Sequence, residues 1–224
     1  HLKGKKLLSF FKIKNIILFY FTYILVALAV IIIWILFPSI SLIAFLIIAS
    51  FHFGKEDTQF LINENSYIYQ FLFFLKGTLI ILAPMYFHFN ETTSIFKSLL
   101  VENESFYAAL SFIETNKLLQ FGIIISTLSS IFLFLINFEI KKLTIFLDYF
   151  SILILNFYFS PLIAFTMYFC FLHSIRHSIT LIFELNENDL KSGLKVFIKK
   201  ATPLTFLTSI FCIIGIFFLN NNYN

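Results

Sequence analysis

Long apolar runs alternate with short polar stretches along almost the whole chain. Each run reaches or approaches the roughly 20 residues that a helix needs to cross a hydrocarbon core. The pattern predicts an all-α, polytopic transmembrane helical bundle of about seven spans, with candidate helices at 16–37, 39–53, 67–89, 118–138, 144–160, 162–185 and 203–219. Pro38, Pro161 and Pro203 lie at boundaries between runs. There the missing amide hydrogen of proline ends one helix and permits the next.

Composition agrees with a helical membrane protein. Apolar residues make up 59% of the chain and charged residues only 12%, whereas about a quarter of the residues in a soluble globular protein are charged. A membrane β-barrel would show alternation in segments of about ten residues, and these runs are unbroken instead. We therefore expect a single integral membrane domain over residues 1–224.

The formal charge of +4 comes from lysines that gather in a few polar stretches, mainly the amino-terminal tail, the 139–143 turn and the 186–202 segment. If the seven spans alternate, these three stretches share one side, which the positive-inside rule makes cytoplasmic. Such a distribution favours contact with membrane lipids, and we expect no nucleic-acid partner. Residues 91–100 and 189–200 have amphipathic patterns and are expected to lie along the membrane interface.

Ionisable side chains within one apolar run are the strongest sign of chemistry. His173 and His177 lie one helical turn apart in the 162–185 run, and Arg176, the only arginine, lies between them. Such groups are costly in hydrocarbon unless they are paired or ligated. Two imidazoles at i and i+4 share a helix face, and His52 ends the second run at a similar depth. This nitrogen-rich set favours iron, copper or zinc, and no HExxH motif supports zinc hydrolysis.

Other roles remain open for these residues. A single histidine in a helical bundle often only bonds a neighbouring helix, and Arg176 is most simply a structural ion pair. Asp57 is either a hydrogen-bonding support for a ligand imidazole or a solvated loop acid. His88 is expected at the membrane interface. Aromatic residues before the histidine pair either wall a tunnel for a long apolar substrate or face lipid, namely Phe165, Tyr168, Phe169 and Phe171.

Three ordered motifs resemble a known family. The segments are FHFGKED at 51–57, PMYFHFNETTSIF at 84–96 and YFCFLHSIRHS at 168–178, and they are similar to signatures of the Brp/Blh family of bacterial β-carotene 15,15′-dioxygenases. The resemblance implies a multi-pass inner-membrane enzyme with non-haem iron, Fe(2+). It implies cleavage of the central double bond of β-carotene by O2, giving two all-trans-retinal molecules. A functional link to a microbial rhodopsin follows from that product.

The same resemblance implies the iron ligands. His52, His173 and His177 match three of the four iron-binding histidines of the family, with no catalytic residue beyond the metal ligands. The fourth belongs to an amino-terminal Pro-His-Gly-x-x-Asp motif, which this chain lacks, since His1 is followed by Leu2, Lys3 and Gly4. We therefore expect that the chain starts just after that motif and lacks a preceding span.

Three functions other than a dioxygenase remain open for this sequence. One is a haem-carrying electron-transfer subunit with axial imidazoles from two helices. Another is a transporter in which histidine and arginine line a polar path. A membrane di-iron desaturase would need more histidines than the five in this chain, so it is the weakest of the three.

Overall fold

The computed structural model of the chain describes residues 16–59, 61–62, 66–136, 138–186 and 189–222. Within these ranges the regular structure is helical and there is no strand, so the all-α prediction is confirmed. In chain order the helices are α1 (Ile16–Leu36), α2 (Pro38–Glu56), α3 (Tyr67–Gly77), α4 (Leu79–Phe87), α5 (Phe89–Ser98), α6 (Glu104–Thr115), α7 (Leu118–Leu135), a 3₁₀ turn (Ile140–Lys142), α8 (Leu143–Tyr158), α9 (Pro161–Met167), a π segment (Tyr168–His173), α10 (Ser174–Leu185) and α11 (Leu190–Asn222).

Four helices of the described chain are long and apolar enough to cross a membrane, namely Pro38–Glu56, Tyr67–Phe87, Leu118–Leu135 and Leu190–Phe217. This fits a membrane protein, but the count of seven spans is not confirmed. Helix α8 has only 16 residues. The predicted helix 162–185 is divided by the π segment, and the described apolar part of α1 is a shorter helix, Tyr20–Leu36.

The chain divides into two compact units, His1–Phe165 and Thr166–Asn224. In the first unit a core cluster joins α2, α4, α5 and α7 through Leu42, Met85, Phe96, Val101 and Leu119. The indole Nε1 of Trp34 on α1 donates to the Leu99 carbonyl at 3.0 Å, which ties α1 to the end of α5. The single membrane domain expected from sequence stays a prediction.

Helices α2 and α3 are in backbone contact at two glycines. A Cβ atom added to Gly54 would lie 1.9 Å from the Phe73 carbonyl oxygen, and one added to Gly77 would lie 1.8 Å from the Ser50 carbonyl oxygen. No other residue type permits this approach, because every other side chain begins with a Cβ atom. Gly54 lies within the helix and does not cap it, since α2 continues to Glu56.

Serine side chains of α7 hold α3 from its other side. Ser126 Oγ donates to the Lys76 carbonyl at 3.2 Å, and Ser129 Oγ donates to the Leu72 carbonyl at 2.8 Å. Small hydroxyl residues let helices approach closely and bond across the interface in an apolar environment. Helix α3 is therefore fixed between α2 and α7.

Two helices precede α7 outside the long apolar runs. Helix α5 buries Thr92 and Phe96, which agrees with the helix expected near 91–100, and its position along the membrane interface stays a prediction. Helix α6 was missed in the sequence, although Asn103 caps it by accepting a hydrogen bond from the Phe106 amide at 2.9 Å. Asparagine is a favoured residue at a helix amino terminus, so this signal was available.

Helix α11 continues through Pro203. The prediction of a boundary there is wrong, and residues 189–200 and 203–219 are joined in one helix from Leu190. A proline removes one backbone hydrogen bond, yet helices in membrane proteins often continue past one.

Tyr107 on α6 leads to a pH prediction. Its hydroxyl donates to the Val101 carbonyl at 2.6 Å, and burial, with the nearby Glu102 carboxylate as a smaller cause, raises the pKa of its phenol above 10.0. A raised pKa means that the folded state keeps its proton longer than the unfolded state. The stabilisation is complete below the unfolded pKa and is lost as pH rises through the folded pKa.

We therefore expect Tyr107→Phe to lower the free energy of unfolding by about 1 kcal/mol at neutral pH. The difference in free energy of unfolding between wild type and the variant should shrink above about pH 10. Thermal unfolding in detergent at several pH values measures this, and Tyr158→Phe, an exposed tyrosine, is the control. A difference in free energy of unfolding that stays constant up to alkaline pH would contradict the stabilising role of the protonated Tyr107 hydroxyl.

Candidate functional site

The histidine pair lies on one continuous helical stretch of the second unit. His173 is the last residue of the π segment and His177 lies in the first turn of α10. The two imidazole planes are parallel within 1°, with ring centroids 6.3 Å apart. His173 is buried, with 7% of its surface exposed, and His177 is half-buried. The sequence prediction that the pair shares one side of a helix therefore agrees with the structure.

The π segment sets the aromatic surroundings of His173. The Phe169 ring stacks on the His173 imidazole at 5.6 Å and 25°, and the buried Tyr168 ring lies 6.3 Å from it at 33°. Phe169, His173 and His177 thus form a column of three rings along the helix. π-Helical turns inside α-helices are rare and frequently lie at functional sites. The apolar pattern predicted one regular helix over 162–185 and did not indicate this widening.

His52 belongs to the first unit, on the last turns of α2. Its side chain is exposed, and its ring lies 5.5 Å from that of Phe53, which meets the Phe165 ring edge-on at 6.2 Å. Gly54, two residues later, is in backbone contact with α3. The backbone that carries His52 is therefore held in place by the crossing of α2 and α3.

Asp57 lies at the carboxyl end of α2 and is buried, with only 3% of its surface exposed. Its backbone amide donates to the Phe53 carbonyl at 3.0 Å, and the following residue, Thr58, is completely buried. The interpretation of Asp57 as a solvated loop acid is therefore wrong. Its support of a ligand imidazole stays a prediction, as does the ion pair of Arg176, which is half-buried between the two histidines.

The aromatic residues chosen as tunnel candidates differ in exposure. Phe165, Phe169 and Phe171 are exposed, at 43%, 41% and 64% of their surfaces, whereas Tyr168 is buried. Exposed phenylalanines in an apolar helix are suited to contact with lipid or with another apolar molecule. Their role as tunnel walls stays a prediction.

His88 has a structural role that the sequence did not indicate. It lies between α4 and α5, where its Nε2 donates to the Asn156 carbonyl of α8 at 2.8 Å. The other ring nitrogen, Nδ1, lies 3.7 Å from the Glu91 carboxylate. His88 therefore connects three helices, and its hydrogen bond to a carbonyl requires the proton on Nε2.

Four charged residues of the first unit are buried among the described residues, namely Asp57, Lys76, Lys142 and Asp148. Lys76 on α3 has 6% of its surface exposed and Asp148 on α8 has 5%. Lysine and aspartate are almost never buried unless they are paired. Their burial places ionisable groups of α3 and α8 within the packed interior of the first unit.

Within the described ranges no group of three or more His, Cys, Asp or Glu side chains is arranged to hold a metal ion. The parallel pair provides two imidazole donors on one helix side, which is the ligand type that iron accepts. His52 lies in the first unit and the pair in the second. The three-ligand set stays a prediction.

Comparison with known protein families identifies a match over the whole chain. The family model described as beta-carotene 15,15'-dioxygenase matches residues 1–224, which is the whole chain. No curated protein matches the chain, and no solved structure matches it either.

Proposed function

Because the chain belongs to the beta-carotene 15,15'-dioxygenase family, we propose that it cleaves the central double bond of β-carotene with O2, giving two molecules of all-trans-retinal. The observation that carries this proposal is the parallel His173 and His177 pair within a chain that the family model matches throughout. Retinal as product supports a functional link to a microbial rhodopsin.

The proposed cofactor is Fe(2+), held by His52, His173 and His177. When bound, iron would supply the binding and activation of dioxygen. The histidines act as neutral ligands and not as acids or bases, which agrees with a pair that has no carboxylate in the adjoining turns from Tyr168 to Phe183. Nitrogen ligands without thiolates suit iron better than magnesium or calcium.

The surrounding residues would orient the ligands and the substrate. The Phe169 ring, stacked on His173, limits rotation of that imidazole. We assign Asp57 as a hydrogen-bond acceptor that supports a ligand imidazole. We assign Arg176 to an ion pair with a carboxylate near the two histidines. The aromatic residues Phe165, Tyr168, Phe169 and Phe171 would contact the polyene and exclude water from it.

We further propose that all seven predicted apolar helices cross the inner membrane of a bacterial cell. An apolar polyene partitions into the bilayer, so an enzyme within the membrane meets its substrate there. The exposed apolar side chains along α1 and α2, such as Ile31, Ile47 and Ile48, would contact lipid tails.

Expression in cells that accumulate β-carotene tests the function. We expect cells that express the complete reading frame to lose their yellow colour and to yield retinal in solvent extracts. Purified protein should contain iron and show no Soret band. Persistent colour without retinal, when membrane insertion is verified, would overturn the proposal. A Soret band would indicate the haem alternative.

A further inference from the structure

The first third of α11 carries a stripe of lysines. Lys191, Lys195 and Lys199 follow one another at intervals of four residues, Lys200 adjoins the last of them, and all four side chains are exposed. Residues four apart are neighbours on one side of a helix. The ammonium groups of Lys191, Lys195 and Lys199 therefore form one positive surface, which we name the lysine stripe, and Lys200 adds a fourth charge about 100° further around the helix.

Helix α11 itself contains neither aspartate nor glutamate, and one carboxylate, that of Asp189, stands at its amino terminus, where it accepts a hydrogen bond from the Lys191 amide at 3.0 Å. Ion pairs of the described residues include His88 with Glu91 and Lys141 with Glu139, both outside this helix. Like charges one helical turn apart repel each other. Anions from outside the chain would therefore relieve this repulsion.

An apolar stripe runs beside the lysines. Leu190, Leu194 and Ile198 are exposed and repeat at the same interval, one position ahead of each lysine. On the opposite side of the helix, Gly193 packs against α10, where a Cβ atom would lie 2.5 Å from the Ile182 carbonyl oxygen. The packing on α10 thus leaves the positive and apolar stripes together on the exposed side.

The same helix continues without a break into a segment that is apolar enough to cross a membrane, Leu190–Phe217. A helix that enters the bilayer brings the lysines before the apolar segment to the level of the lipid headgroups. There the apolar stripe would contact the upper acyl chains, while the ammonium groups meet phosphates.

We propose that the lysine stripe of α11 binds the headgroups of anionic phospholipids. Clusters of four or more basic residues beside a membrane-spanning helix attract anionic lipid. This interaction surface is separate from the proposed metal ligands, so its failure and that of the dioxygenase proposal are distinguishable.

Native mass spectrometry of the purified full chain in neutral detergent tests the proposal, with phosphatidylglycerol and phosphatidylcholine added in equal amounts. We expect wild type to retain phosphatidylglycerol preferentially. In the triple variant Lys191→Gln, Lys195→Gln, Lys199→Gln, the ratio of bound phosphatidylglycerol to bound phosphatidylcholine should fall at least about tenfold. Added sodium chloride should weaken the wild-type preference by screening. Inorganic phosphate at the same ionic strength should weaken it no more than sodium chloride does, because the site binds the lipid headgroup and not free phosphate.

Two matched variants sharpen the result. Arginine at the same three positions keeps the charge and should keep the preference. Glutamine at Lys97 and Lys117, which lie outside α11 and outside the three lysine-rich stretches that share its predicted membrane side, removes surface charge elsewhere and should leave the preference unchanged. An equal loss in this second variant would overturn the proposal, and so would a salt-independent wild-type preference. The salt test stands even if the glutamine variant of the stripe fails to fold.

Discussion

His173→Ala is expected to abolish retinal formation in β-carotene-accumulating cells. The substitution removes one of the proposed iron ligands and leaves its partner His177, 6.3 Å away, without the second donor. Loss of residues that only support a metal ligand lowers affinity or activity by about 10 to 100-fold, so loss of the ligand itself should exceed about 100-fold. Chromatography of cell extracts measures retinal, and metal analysis of purified protein measures iron.

His88→Gln is the matched control, because this histidine bonds a backbone carbonyl of α8 and lies outside the proposed ligand set. A glutamine amide can still donate one hydrogen bond, so retinal yield should fall by no more than a few-fold. Both variants must elute like wild type in size-exclusion chromatography. Full retinal yield from folded His173→Ala would contradict the metal assignment and favour a structural or transport role for the pair.

The sequence was sufficient to locate most helices, because an apolar run of fixed length has few alternatives in a membrane. The run predicted at 16–37 is α1, Ile16–Leu36, and that at 118–138 is α7, Leu118–Leu135. Proline was a less reliable boundary signal. Pro38 and Pro161 do begin helices, whereas α11 continues through Pro203, since proline weakens a helix by one hydrogen bond and a clash and does not always end it.

The candidate site was predicted only as far as local spacing permits. An interval of four residues is enough to place His173 and His177 on one side of a helix. The π segment that precedes them depends on tertiary packing, and nothing in the letters of YFCFLH distinguishes it from an α-helix. The burial of Asp57 was missed for a similar reason, since a charged residue after an apolar run looks like a loop residue until its neighbours are known.

The glycine crossing of α2 and α3 links the fold to the site. Gly54 lies between His52 and Asp57, two residues proposed for the metal centre, and its contact with Gly77 and Phe73 is backbone to backbone. Side chains can adjust by rotation, but backbone atoms of two packed helices cannot. The depth and direction of the end of α2 therefore depend on two residues that have no side chain.

Gly54→Ala and Gly77→Ala should each destabilise the protein severely. The added methyl group would lie 1.9 Å or 1.8 Å from a carbonyl oxygen of the facing helix, so the helices must separate. Overpacking of an ordinary core costs about 1 to 3 kcal/mol, and a clash with backbone should reach or exceed the upper figure of about 3 kcal/mol. Thermal unfolding in detergent measures the loss, and Gly54→Ala should also lower iron content.

Gly215→Ala is the control, because a Cβ atom there meets no atom within 4 Å. Alanine is the better helix former by about 1 kcal/mol, so this variant should be neutral or slightly more stable than wild type. Wild-type stability in both Gly54→Ala and Gly77→Ala would show that α2 and α3 do not cross in backbone contact. Loss of iron by Gly54→Ala at temperatures where it remains folded would show that the crossing also sets the position of His52.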